Sequence, residues 1–247
     1  MDNYFIVQTG FILTTFVFFG LVLHMLNSGL SKTSFSPEKQ RKIFRIALLS
    51  LICWMMFTGF LAAANFFNDF STMPPKFFIV LIVPLVAVIY LSTRKSLTEI
   101  LRHVPPSNIM FLQGFRIVVE ILLWMLFLEN VLPVQMTFEG YNFDVLAGIS
   151  GVIMGWLYTK GKLSPTLVTI WNFAGLALLL NIVTIALLST PLPIRVFMNE
   201  PANTIVTVFP IIWLPAMLVP LAYGLHIMSL KQMSLLRKES NTSVGLA

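Results

Sequence analysis

The 247 residues are 57% hydrophobic and only 11% charged, with a mean hydropathy of +0.86, whereas soluble domains are about a quarter charged. That balance excludes an ordinary water-soluble domain, and seven spans of about 20 residues would leave no room for a separate one. The net charge of +6 does not point to nucleic acid, because the basic residues fall where membrane topology places them, and the single cysteine, Cys53, can form no internal disulfide.

Apolar runs predict seven transmembrane helices, at residues 5–26, 44–66, 77–91, 108–128, 144–158, 166–188 and 204–229. The fold class expected is therefore all-α: a polytopic transmembrane bundle over residues 1–230, followed by a short basic and polar tail, 231–247, expected to be disordered. The first run is preceded by Asp2 rather than by basic residues and is longer than a signal-peptide core, so it is expected to stay as an anchor. The third and fifth runs are short and need length from flanking residues or a thinned bilayer.

Loop charges give the orientation. The first, third and fifth loops and the tail hold Lys32, Lys39, Arg41, Lys42, Arg45, Arg94, Lys95, Arg102, Lys160, Lys162, Lys231, Arg237 and Lys238, which is 13 of the 16 basic residues; the opposite side holds Lys76 and Arg195. Cytoplasmic loops carry such an excess, so the N-terminus is expected outside and the C-terminus in the cytoplasm. Between the third and fourth spans, Leu97, Ile100, Leu101 and Val104 recur at helical spacing opposite Arg94, Lys95, Glu99 and Arg102. This pattern predicts a short helix on the cytoplasmic lipid surface, ended by Pro105 and Pro106.

The fourth span carries the most informative feature. Gln113, Arg116, Glu120 and Trp124 stand three, four and four apart, on one stripe of a helix. Counted from Asn108 at 1.5 Å per residue, Arg116 lies about 12 Å and Glu120 about 18 Å into a core about 30 Å thick. A central charge costs about 2.5–3.5 kcal/mol to insert, so the stripe is expected to face the bundle interior or water. Either Arg116 and Glu120 neutralise each other as a packing device, or they form a functional site, and the second reading is preferred. Arg before Glu is the less favourable order at this spacing, so further partners are expected.

Polar residues also gather in two outer loops: Glu129, Asn130, Gln135, Glu139, Tyr141, Asn142 and Asp144 after the fourth span, and Arg195, Asn199, Glu200 and Asn203 after the sixth. Asp144 can cap the fifth span, and Asn199 or Glu200 before Pro201 can start the seventh. The carboxylates also predict an acidic outer face attractive to a cation or protonated solute. Ala147, Gly151 and Gly155 form a small-residue stripe for close helix packing, Asn172 and Asn181 point to opposite sides of the sixth span, and Pro210, Pro215 and Pro220 predict a kinked or broken last span. His24, His103 and His226 show no metal-ligand spacing and the last span has no Lys for a Schiff base, so neither metal nor cofactor is expected.

Three stretches, Phe115-Arg-Ile-Val-Val-Glu120, Gln135-Met-Thr-Phe-Glu-Gly-Tyr-Asn-Phe-Asp144 and Ile194-Arg-Val-Phe-Met-Asn-Glu-Pro-Ala-Asn203, resemble a group of uncharacterised multi-pass membrane proteins of bacteria, of Bacteroidota type. The resemblance implies a bacterial inner membrane and transfers no catalytic or binding role. The residues themselves predict binding or translocation of a small solute, ion or proton through a polar site open to the outer face. The candidate binding or relay residues are Gln113, Arg116, Glu120, Trp124, Glu139, Asn142, Asp144, Arg195, Asn199 and Glu200. The alternatives are a membrane-embedded enzyme on a lipid or lipid-linked substrate, without an evident nucleophile, and a sensory or assembly subunit. Membrane lipids and a small-molecule, ion or lipid ligand are the expected partners, no nucleic acid is, and the oligomeric state stays open.

Overall fold

The computed structural model describes residues 2–72 and 74–244, and every regular element among them is a helix. α1 (Asp2–Leu30) leads through a short turn to α2 (Pro37–Ala63), which starts where Pro37 needs no N–H partner and the Ser36 hydroxyl accepts from Lys39 N at 3.4 Å. α3 (Phe78–Thr93) and α4 (Lys95–His103) meet at Arg94 with a 78° bend. α4 has the amphipathic pattern expected, but its buried residues, Ile100 and Leu101, pack on protein rather than on lipid. Gly29 of α1 allows this approach, since a Cβ there would lie 2.8 Å from Val104 and 3.1 Å from Ile100.

α5 (Pro106–Leu112) and α6 (Phe115–Leu128) form one span, tightened at Gln113 and Gly114 by N–H groups that donate to carbonyls three residues back. α7 (Asp144–Thr159) has 16 residues. At 1.5 Å per residue it is about 24 Å long, short of a core about 30 Å thick. The segment 129–143 before it folds inward, with one 3-10 turn at Val134–Met136 and with Leu132, Gln135, Met136, Thr137 and Asn142 buried. The small-residue stripe of α7 is where it closes on α5: a Cβ at Gly151 would lie 2.9 Å from the Met110 carbonyl oxygen, and one at Gly155 2.8 Å from the Phe111 ring.

α8 (Pro165–Ser189) repeats the start of α2, with Pro165 first and the Ser164 hydroxyl accepting from Leu167 N at 3.2 Å. Segment 190–213 also folds inward, burying Thr190, Asn203, Thr207, Ile211 and Ile212. The last span does not begin at 204 as the hydropathy suggests: helix starts with a π turn at Leu214–Leu218 and continues as α9 (Val219–Val244). Pro215 thus sits in its first turn, where a missing N–H costs least, and Pro220 directly follows the π turn. α9 runs on through residues 231–244 of the stretch the sequence assigns to a tail. Gln232 Nε2 donates to Leu101 O and Val104 O, each at 2.8 Å, Lys231 Nζ donates to Ser92 O, and Arg102 pairs with Glu239 at 2.9 Å. Residues 245–247 of that tail lie outside the described residues.

The main apolar core surrounds α6, drawing Phe11 from α1, Leu179 from α8 and Leu221 and Leu225 from α9. Outside it, large apolar side chains face outward, among them Phe5, Met56, Phe60 and Leu180, with Phe60 74% exposed. Such a surface requires an apolar solvent. Among the described residues five helices are long and apolar enough to cross a membrane, six if α3 and α4 count as one bent span, and α7 is a shorter apolar helix. The chain is a helical membrane protein.

Candidate intramembrane binding site

Arg116 stands halfway along the Pro106–Leu128 span and is 1% exposed. Its Nε donates to Asp144 Oδ2 at 2.6 Å and its Nη2 to Asp144 Oδ1, a two-point pair. Nη1 lies 3.0 Å from His226 Nε2. A guanidinium only donates, so Nε2 accepts and the His226 proton sits on Nδ1, which donates to Asn172 Oδ1 at 2.9 Å. Asn172 Nδ2 donates in turn to Val168 O and Ser229 Oγ, both at 2.8 Å. The imidazole occupies the place a side chain at Gly175 would take, so α8 needs glycine there. Gln113, one turn before Arg116, donates from Nε2 to Ala222 O at 3.2 Å.

Arg116 finds the further partners its order on the helix calls for, and the alternative Arg116/Glu120 pair is not formed. Asp144, at the first turn of the short α7, offers both carboxylate oxygens across a helix interface, a geometry the four-residue spacing on one helix cannot match. Glu120, 2% exposed, is instead held by Asn142, whose Nδ2 donates to Oε1 at 2.8 Å and Oε2 at 2.7 Å. The same Nδ2 reaches Met136 O at 3.0 Å, and Asn142 Oδ1 accepts from Asp144 N at 3.0 Å. Arg116 and Asp144 therefore cancel, and among the described residues Glu120 has no ion-pair partner.

Glu120 and Asp144 lie on the wall of a small cavity of about 80 Å³ between α3, α6, α8 and the start of α9. Apart from these carboxylates, Thr190 and Asn203, the wall is apolar. Asn203 is fully buried, and its Oδ1 has no hydrogen-bond partner among the described residues. The wall is half-buried rather than sealed at Leu81 of α3, at Val183 and Leu187 of α8, at Val206 of the 190–213 segment and at Pro215 and Val219 at the start of the last helix.

The carboxylates of the two loops are held in different ways. Asp144 is spent on Arg116 inside the bundle, and its side chain makes no cap for α7. Glu139 Oε1 accepts from Trp124 Nε1 at 2.6 Å. Arg195 Nη2 donates to Glu200 Oε1 at 3.0 Å and to Asn199 O at 2.8 Å. The Arg195 bond, helped by the Ala202 N–H, holds the Glu200 carboxyl below its ordinary range. Asn199 Nδ2 donates to Gln135 Oε1 at 2.9 Å and Gln135 Nε2 to Ser189 Oγ at 3.0 Å, which ties the two outer loops together over the cavity end.

The sequence model of a domain of unknown function, DUF8737, matches residues 74–234, about two thirds of the chain. The chain belongs to the DUF8737 family. The matched region begins just before α3 and ends within α9, so it takes in the cavity, Glu120, Arg116, Asp144, Asn172 and His226, and leaves α1 and α2 outside. No curated protein and no solved structure matches the chain.

Within the DUF8737 region, five of the residues singled out from sequence come together: Gln113, Arg116, Glu120, Asn142 and Asp144. Trp124 and Glu139 form a separate pair, while Arg195, Asn199 and Glu200 belong to the loop clamp. Asn172, His226 and Asn203 were not among the candidates. Asn172 and Gly175 on α8 face His226 and Ser229 on α9, each pair three apart in its own helix, and those matched spacings are the signal that could have found two of them.

Proposed function

We propose that the protein binds, and moves within or across the membrane, a small solute, ion or proton at the Glu120 carboxylate. The observation that carries this reading is the charge balance. Arg116 is consumed by Asp144, so a nearly inaccessible carboxylate remains on a cavity wall with one amide as its partner. A buried charge without a counter-charge is costly, and a bound cation or proton supplies what the protein withholds. In this reading the site is open to the outer face, and the occupant reaches Glu120 from there.

The proposal includes a seven-span topology, with α1, α2, α3, the α5–α6 unit, α7, α8 and α9 as spans and α4 at the surface, the N-terminus outside and the C-terminus in the cytoplasm of a bacterial inner membrane. The 13 to 2 division of loop Lys and Arg supports it. The experiment is native mass spectrometry of the protein in mild detergent, wild type beside Glu120→Gln. A small-molecule adduct on the wild type that disappears from the variant is expected. The same adduct spectrum for both proteins would refute Glu120 as the binding group.

A further inference from the structure

A groove at the end of α8 remote from the outer loops has a different chemistry, and Glu120 takes no part in it. Its volume is about 350 Å³, and it is lined by Thr169 and Phe173 of α8 and by Leu230, Ser234, Arg237 and Lys238 of α9. The α9 residues share one face, since Ser234, Arg237 and Lys238 stand four, seven and eight places after Leu230, and Phe173 stands one turn after Thr169. The groove therefore runs from an apolar end to a basic one. Phe173 is 60% exposed, beside an equally exposed Ile170, as side chains that face hydrocarbon are. At the basic end the Thr169 hydroxyl donates to Pro165 O at 2.8 Å and accepts from Arg237 Nη2 at 3.1 Å, so it orients the guanidinium. The adjoining carboxylate, Glu239, pairs with Arg102 of α4 at 2.9 Å.

From this arrangement we propose that the groove binds an anionic phospholipid, with the phosphodiester at Arg237 and Lys238 and an acyl chain along Phe173 and Leu230. The Arg237 guanidinium is a planar fork that matches two phosphate oxygens, Lys238 adds a point charge, and the Ser234 hydroxyl is a further donor. The order of the groove, basic at one end and apolar at the other, is that of a lipid lying with its phosphate outside and its hydrocarbon inside. A choline headgroup carries the same phosphate but adds a cation that the two basic side chains repel, so anionic headgroups are selected. A free phosphate ion would use the basic end alone, whereas the apolar residues of the same groove fit a ligand with hydrocarbon attached. In the topology proposed above the groove opens to the cytoplasmic leaflet, on the side that also holds Lys160 and Lys162.

The test is native mass spectrometry of the full chain in mild detergent, titrated with phosphatidylglycerol and with phosphatidylcholine of identical acyl chains. Wild type is compared with a groove variant, Arg237→Gln with Lys238→Gln, and with a control, Lys160→Gln with Lys162→Gln. The control removes the same charge from the same end of the bundle but outside the groove. All four residues are exposed, so neither exchange reaches the core. Phosphatidylglycerol is expected to bind the wild type at least about tenfold tighter than phosphatidylcholine, the scale of two basic side chains at a membrane surface. The groove variant loses that preference and the control keeps it. Equal binding of the two lipids to the wild type would overturn the proposal. So would a preference that survives in the groove variant, or one that falls equally in both variants, which would mean that net charge attracts lipid without a site. Displacement of phosphatidylglycerol by millimolar inorganic phosphate would overturn the lipid as occupant in favour of a soluble anion. The comparison of lipids on the wild type stands even if a variant does not fold.

Discussion

Asp144→Asn and Glu120→Gln are each one atom from wild type, remove one buried negative charge each, and are predicted to differ sharply. Asp144 takes two hydrogen bonds from Arg116, and the two residues are 6% and 1% exposed. With asparagine there, one acceptor oxygen remains, an NH₂ group is turned against a guanidinium that can only donate, and the positive charge is left buried without compensation. Removing one partner of a buried pair costs about 3–5 kcal/mol, mostly the penalty of the stranded charge. Glu120→Gln strands no charge: one amide oxygen still accepts from Asn142, an NH₂ group replaces the other acceptor, and a charge without a counter-ion among the described residues is removed. Its cost is expected at about 1 kcal/mol or less, with either sign. Reversible unfolding of both variants in mixed micelles, with equal slopes against denaturing detergent, measures the difference. A cost for Glu120→Gln as large as that for Asp144→Asn would mean that Arg116 shares its charge with Glu120, and the charge count on which the functional reading rests would fail.

Gly175→Ala is predicted to lose about 1–3 kcal/mol, because its Cβ falls on the His226 ring, and to lose much less in a His226→Ala background, where the ring is absent; a double-mutant cycle of the unfolding midpoints checks this. In the loop after α2, Asp69 accepts from Lys76 Nζ at 2.8 Å and from Ser71 Oγ at 2.6 Å, and the Lys76 bond foremost lowers its pKa from 3.8 to about 2. The folded value lies below the unfolded one, so the contact is complete above pH 3.8 and is lost as the pH falls towards 2. The Asp69 carboxyl resonance should titrate near 2 in the wild type and move back towards 3.8 in Lys76→Met, and an unmoved midpoint would contradict the pairing. For the topology, alkaline phosphatase fused after Ser71 should be active and a fluorescent protein fused after Ala247 should fluoresce; the reverse pattern would invert the orientation.

Much of this arrangement is legible along the chain because it is periodic. Apolar runs locate the helices, and the 3-4-4 spacing of Gln113, Arg116, Glu120 and Trp124 turns their stripe to the interior, where the first three are buried. The partner of Arg116 was harder to see, although one cue was present: a fifth run too short to span the core implies that the preceding loop dips inward and carries Asp144 down with it. Reading Asp144 as a cap misses this because capping is a local explanation, whereas the cost of a buried guanidinium is met by any chain segment that can reach it. His226 lies 110 residues from Arg116, and no spacing rule spans that distance. The cavity is a property of how α3, α6, α8 and α9 fail to close on one another, and a void has no residue pattern of its own.

Asn142 explains how one site can hold a structural ion pair and a free carboxylate side by side. Without it, Glu120 and Asp144 would compete for the single guanidinium, and the site would be a loose triad with one charge shared between two acceptors. Asn142 separates them: its Nδ2 satisfies Glu120, its Oδ1 accepts from Asp144 N, and the Met136 carbonyl fixes its orientation. The arrangement also links the two acidic residues mechanically. A cation that draws Glu120 away from Asn142 leaves the Asn142 amide its Met136 bond and Arg116 its Asp144 pair, so the occupied site does not require the bundle to open. Asn142→Leu is the variant that separates these roles. It removes the donor to Glu120 and the acceptor for Asp144 N together, so the two carboxylates are no longer held apart, and it is expected to cost about 1–3 kcal/mol in reversible unfolding in mixed micelles, and less in a Glu120→Leu background, where no carboxylate is left without its donor. The same cost in both backgrounds would mean that Asn142 takes no part in positioning Glu120.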